Sequence, residues 1–288
     1  MILVTGAAGK TGKAAIKALA ARGAPVRALV RNPGHAASLK ALGAAEVGIG
    51  GFDDPAALAR ATSGTQAIYH ICPNVSPDEV GYARAVAAAA RDNGIKRFVF
   101  HSVLHPQIEA MPHHWAKMRV EEMLFAAGFD LTVLQPTAYM QNLLGAWRDI
   151  VADGVFRVPY PVATRLSLVD LDDVAEAAAL VLTADGHGGA SYELVGTEPL
   201  GQSVVAAAIS VAVKRNVRAE AESMEAWEAR AAAAGMGAHE RATLVAMFRY
   251  YADHGLIGNP NTLSWLLGRT PTSLADFLAR AATRGVDA

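Results

Sequence analysis

Three glycines recur at a three-residue stride in Thr5-Gly6-Ala7-Ala8-Gly9-Lys10-Thr11-Gly12. In such a run one glycine permits a tight turn, one lets backbone approach a pyrophosphate, and one lets a helix pack hard on a strand. A helix opening there points free N–H groups and a partial positive charge at an anion. The chemistry on offer is the gripping of a dinucleotide. Arg31 lies 19 residues beyond Gly12. A carboxylate at that distance would accept hydrogen bonds from ribose hydroxyls. A guanidinium instead offers planar donors to a phosphate on that ribose, so NADP is expected over NAD. Lys10 and Lys13 are nearby cations that would add to the attraction.

A second group of residues could move protons. His101 and Ser102 close an apolar run, and Met111-Pro-His-His-Trp-Ala-Lys117 follows. His113 and Lys117 are four apart and share one helix face. Histidine titrates near neutrality, which suits a proton donor. His105, His113 and His114 invite a metal, but no acid or cysteine partners them at a recognised spacing, so no metal is expected. The acidic pairs Glu121-Glu122 and Asp172-Asp173 read as solvated helix faces or caps. Gly-x-Ser-x-Gly, His-Glu-x-x-His and the P-loop signature are absent.

Short apolar runs that would position these residues fall at 2–4, 26–30, 45–49, 67–71, 97–100 and 131–134. Helical periodicity fills the gaps between them. Ala14, Ala15, Ile16, Ala18 and Leu19 carry it after the glycines. Asp53 or Asp54 caps a helix with Pro55 at its first position. Further helices are expected over 77–91 and 115–127. Strands alternating with helices predict an α/β fold, a doubly wound parallel sheet whose ligands sit beyond the strands' carboxyl ends. The later half is less regular. A strand is expected over 166–169, a helix over 171–182, another strand over 192–195, and helices over 204–213, 224–249 (broken at Gly235-Met-Gly237) and 274–282. The expected division is 1–155, a dinucleotide-binding Rossmann domain, and 156–288, a smaller, mostly helical substrate-side cap interleaved with the sheet edge.

The 288 residues can bury a large core, and 52% hydrophobic with 18% charged residues describes an ordinary globular chain. A net charge of −1 argues against a nucleic-acid partner. The one cysteine, Cys72, rules out an internal disulfide framework and fits a reducing compartment. A strand beginning at residue 2 leaves no room for a signal peptide, and no apolar run is long enough to span a membrane. The expected location is the cytoplasm. The oligomeric state is open, a homodimer included.

Thr5 to Gly12, Arg31-Asn-Pro33, Phe52-Asp-Asp-Pro55, Phe98-Val-Phe-His-Ser102, Leu134-Gln-Pro-Thr-Ala-Tyr-Met-Gln-Asn142 and Leu266-Leu-Gly-Arg-Thr-Pro-Thr-Ser-Leu-Ala-Asp-Phe277 together resemble the NmrA-like branch of the atypical short-chain dehydrogenases/reductases. The resemblance covers nearly the whole chain. It implies either an NADPH-dependent reductase passing hydride to a small hydrophobic acceptor, such as a quinone or an activated double bond or carbonyl, or a non-catalytic dinucleotide-sensing regulator. It places the cofactor on Gly6, Ala8, Gly9, Lys10, Thr11 and Gly12, with Arg31 at the ribose phosphate and Phe52 against the adenine. Members often carry an aspartate where this chain has Gly51, which leaves backbone contacts to the adenine amino group. Ile71, Cys72 and Pro73 would pass the central riboses, His101 at the end of its strand would face the crevice as a further cofactor contact, and Pro136 would lie where the nicotinamide rests. Lys117 matches the lysine that holds the nicotinamide ribose, while His113 stands in the slot of the usual tyrosine acid. His113 could donate the proton, Lys117 could merely hold the cofactor, or turnover could be absent. Ser102 could hydrogen-bond a substrate oxygen or only satisfy backbone. Tyr139 could border the substrate or only pack. A sugar-nucleotide epimerase is disfavoured because that chemistry relies on the missing tyrosine.

Overall fold

The computed structural model describes residues 1–283. Six strands follow one another with helices between: β1 (Ile2–Val4), β2 (Val26–Val30), β3 (Glu46–Ile49), β4 (Ala67–His70), β5 (Arg97–His101) and β6 (Asp130–Pro136). With the strand Ser191–Leu194 at the edge beside β6, they form one seven-stranded sheet, ordered β3-β2-β1-β4-β5-β6 and then that edge. Pairings among β1 to β6 are parallel, in registers such as Ile2 with Val26 and Ala67, and His101 with Leu134. The edge strand runs the same way, since Val133 N–H donates to Ala190 O and Thr137 N–H to Leu194 O. Chain order reverses between β1 and β4, and a crevice opens at such a reversal in a doubly wound sheet. The expected fold class is the observed one.

Burial explains the composition of the strands. Leu3, Ile68, Phe98, Phe100, Leu131 and Val133 are buried along the sheet. Sheets covered on both faces need continuous apolar strands, which is why these runs lack alternation. The connecting helices are α1 (Lys10–Ala21), α2 (Ala36–Ala41), α3 (Pro55–Thr62), α4 (Glu79–Asp92) and α5 (Pro112–Phe125). Small residues Ala83, Ala87 and Ala90 let α4 lie close on the sheet. Asp54 is the cap of α3, accepting from Ala57 N–H at 2.9 Å, with Pro55 next. α5 opens at Pro112, earlier than the expected 115, which puts His113 in its first turn.

The chain divides into two compact units. The first holds residues 1–108, 113–135 and 174–192, which include all of β1 to β5. The second holds 109–112, 136–173 and 193 onward. In the second unit, Val155–Val158 pairs in parallel with Arg218–Ala221. The run at 166–169 is not one strand. Arg165–Leu166 pairs antiparallel with Leu200–Gly201, whereas Leu168–Val169 pairs parallel with Ala138–Tyr139. Helices Met224–Ala233 and Ala238–His254 are separate, broken at Gly235 (φ +85°). A small cluster of Trp227, Ala231 and Val245 packs between them. Asp173 ties the segment before the last helix, accepting from Thr272 N–H at 2.6 Å and Arg269 at 2.7 Å. Ser273 caps that helix, Leu274–Thr283, accepting from Asp276 N–H. Among the described residues no helix is long and apolar enough to cross a membrane.

Candidate active site

The glycine run occupies the turn between β1 and α1. Gly6 adopts φ +59°, and a Cβ there would lie 2.6 Å from Ile71 O. At Gly12 a Cβ would meet Gly6 O at 2.5 Å and Ala7 Cα at 2.6 Å. Both glycines are thus required by the protein's own backbone. Gly9 differs. Its φ of −72° suits any residue, and its nearest neighbour would be Gly6 O at 3.3 Å. It is exposed and forms the N-cap of α1, with no side-chain cap. No acidic residue occupies the first turn. The N-terminal N–H groups of α1 thus lack an internal anion, as a phosphate site needs.

A cleft of about 260 Å³ lies at the carboxyl ends of β1 to β4. Gly6 to Gly9 form one wall, and Arg31, Asn32 and His35 another, with Gly51, Phe52 and Pro73 completing it. Lys10, Thr11 and Gly12 follow Gly9 into the first turn of α1. Arg31 is exposed and pairs with no carboxylate among the described residues. Asn32 shapes the turn after β2 by accepting from Gly34 N–H at 2.8 Å. Phe52 is half-buried, 5.0 Å from the Tyr82 ring and edge-on to His70 at 5.5 Å, so it presents a fixed aromatic surface. At Gly51 a Cβ would meet Asp53 Oδ1 at 2.3 Å, so the Asp53 carboxylate lies over that glycine. These features fit a nucleotide with an extra phosphate: a glycine cradle, an unpaired guanidinium and an aromatic wall.

Beyond β4 and β5 the polar groups are buried. Lys117 Nζ lies 2.6 Å from Glu79 Oε1 and donates to His101 O at 3.0 Å. Both side chains are almost fully enclosed, at 5% and 1% exposure, and Phe100 lies under the ammonium at 5.1 Å. His101 Nδ1 and Tyr69 Oη are 2.6 Å apart, and His70 Nδ1 and Thr5 Oγ1 are 3.0 Å apart. Burial, and then the Lys117 charge, push His70 and His101 down to about 3. His113 is half-buried and stays neutral at pH 7, because desolvation and then Lys117 hold it well below the usual histidine range. A neutral imidazole is a poor acid, so the structure weakens the reading of His113 as proton donor.

Ser102 is buried and its hydroxyl donates to Glu121. That bond engages the hydroxyl with a side chain of α5 rather than with local backbone. Glu121 also accepts from Gln135 Nε2 at 3.0 and 3.1 Å. Its carboxyl is raised by burial, so it is not the solvated helix-face residue that the sequence suggests. Asp173, 1% exposed, departs from that expectation in the same way. Cys72 is buried 6% exposed, and burial pushes its thiol up, away from reactivity. Pro136 is buried at the end of β6, and Tyr139 is half-buried in its two-residue strand. No metal-binding group of three ligands occurs among the described residues.

Glu79 carries no sequence signal of its role. It reads as an ordinary acid in the first turn of α4, and only the fold sets it against a lysine from α5. His35 is equally silent, five residues past the β2 end in a turn shaped by Asn32.

Known proteins resemble the chain along nearly its whole length. The chain is 32% identical over 292 residues to an NAD(P)H azoreductase of Xenophilus azovorans, covering 99% of each chain. It is 27% identical to the NADPH complex of quinone oxidoreductase QOR2 from Escherichia coli, with a TM-score of 0.86 over 98% of this chain and 99% of that one. The Citrobacter triphenylmethane reductase bound to NADP(H), at 24% identity and TM-score 0.86 over 98% and 100%, shares the fold. The model of the NmrA-like family matches residues 1–279, and the chain belongs to that family.

Proposed function

We propose that this protein is an NADP(H)-dependent oxidoreductase that passes hydride to a small, flat hydrophobic acceptor such as a quinone or an azo compound. The observation that carries the reading is the cleft at the sheet's reversal point, where the Gly6–Gly9 cradle faces an exposed Arg31 that no described carboxylate engages. Likeness across full length to an azoreductase, and to a quinone oxidoreductase solved with NADPH, supports both cofactor and acceptor class.

Gly6, Ala8 and Gly9 with the N–H groups of Lys10 and Thr11 hold the pyrophosphate, and Gly12 keeps α1 close enough for them to converge. Arg31 binds the ribose phosphate as a planar fork. Phe52 supports the adenine. Cys72, Pro73 and the His101 segment flank the riboses, Lys117 holds the nicotinamide half, and Pro136 and Tyr139 belong to the acceptor end. The bound nicotinamide supplies the hydride. Neutral His113 leaves the acceptor's proton to come from water, which suits a reduced quinone or hydrazo product. The single buried cysteine fits work in the cytoplasm.

The test is oxidation of NADPH, followed by its absorbance, with a panel of quinones and azo dyes. Turnover with at least one acceptor, and weaker turnover with NADH, is expected. Tight NADPH binding with every acceptor left intact would instead identify a sensor.

A further inference from the structure

We propose that Glu79 is a positioning residue for the cofactor site, holding the Lys117 ammonium in place for the nicotinamide ribose. The inference rests on the NADP(H) reading above. Lys117 reaches across from α5 to α4, and its Nζ is caught between Glu79 Oε1 at 2.6 Å and His101 O at 3.0 Å. The carbonyl takes one N–H and the carboxylate supplies the counter-charge. The ammonium still has donor capacity for a ribose hydroxyl.

Among the described residues no other ionised acid stands near Lys117 to replace Glu79. The imidazoles of His70 and His101, on β4 and β5, and of His113 and His114, on α5, are held neutral by burial. The Cys72 thiol is likewise kept protonated. Glu121, also on α5, is raised by burial and already engaged by Ser102 and Gln135. The Cys72 thiol hydrogen-bonds this carboxylate but carries no charge, so among the described residues the charge that compensates Glu79 is that of Lys117. Buried ions paired this closely are rarely favourable for stability alone, because desolvation offsets their attraction. Retaining a pair at the ends of β4 and β5, beside the cofactor's expected path, fits a role in holding Lys117 charged and aimed.

The readout is NADPH affinity, measured by titration of protein fluorescence with no acceptor present, from pH 6 to 9. Glu79→Gln keeps the shape and removes the charge, leaving a buried ammonium with no counter-ion, which favours its deprotonation. Affinity of the variant is expected to fall about tenfold or more at pH 7, the scale of one charged hydrogen bond, and further toward pH 9. The parent changes much less over the same range, and Glu79→Asp recovers part of the loss. Because Glu79 acts through Lys117, the double variant E79Q/K117M should bind NADPH as K117M does, and it also serves if E79Q folds poorly, since its interior is neutral. A parent that binds NADPH, with E79Q matching it at every pH and losing only thermal stability, overturns the proposal while leaving the cofactor reading intact. So does a double variant markedly weaker than K117M. A parent that binds no NADPH removes the cofactor reading itself, and this inference with it.

Discussion

At the scale of single residues, the site separates groups that meet solvent from groups that are spoken for. Arg31 is exposed and has no acidic partner among the described residues, so its donor set is available to a ligand. Arg31→Ala should therefore weaken NADPH binding by about 1.5–3 kcal/mol, the scale of hydrogen bonds to a charged group. NADH binding should change little, and the two affinities measured by calorimetry should converge. Equal losses for both nucleotides would mean that Arg31 does not read the extra phosphate. His113 leads to the opposite expectation. Desolvation keeps its imidazole neutral across the working range, so a proton-donating step through it has little driving force. His113→Gln should reduce kcat by less than about tenfold, against the 10²–10⁴ a true general acid contributes. The kcat profile should also lack an ionisation near 6.5. A hundredfold drop, with a new pH dependence, would restore the donor role.

At the scale of elements, the turn from β1 to α1 shows how three identical residues come to have different jobs. A methyl group at Gly12 would press on the backbone of Gly6 and Ala7, atoms that cannot swing away. Gly12→Ala should cost at least about 1–3 kcal/mol of stability by overpacking, visible as a lower urea midpoint. Gly9→Ala meets only Gly6 O at 3.3 Å with an ordinary φ, so its melting temperature should stay near the parent's. Its NADPH affinity should fall, because the added methyl takes up space where the pyrophosphate approaches. A Gly9→Ala protein that binds normally would show that the cradle lies elsewhere. This turn was legible in the sequence because strand, glycine spacing and helix are all local patterns. So were β1 to β6, each a short apolar run bounded by turn residues. What escaped was set by distant partners. Leu166 and Leu168 look like one strand, but each joins a different two-residue neighbour. Glu121 looks solvated until the fold brings Ser102 and Gln135 against it, and Glu79 acquires its partner from a helix 38 positions along. Pairing between elements leaves no periodic trace in either one.

At the scale of the molecule, the four histidines gathered around Lys117 make the first unit's stability depend on pH. His70 and His101 are held down to about 3, His114 to about 4, and His113 well below the usual range, in each case chiefly by desolvation. In the unfolded chain the same groups titrate near 6.5. Below that value the unfolded state binds protons that the folded state refuses. Stability is therefore complete above about pH 6.5 and is lost as the pH falls toward 3, at up to about 1.4 kcal/mol per pH unit for each histidine left neutral. Urea midpoints should be level from pH 8 to 7 and decline clearly between 6.5 and 5, before ordinary carboxylates titrate. His70 offers a check on the cause. His70→Asn keeps a polar partner for Thr5 Oγ1 and cannot charge, so the decline should be shallower in that variant even if its midpoint at pH 8 is lower. An unchanged slope would mean that the interior imidazoles accept protons without unfolding, and that the lysine's surroundings are wetter than the packing of Phe100, Tyr69 and Phe98 allows.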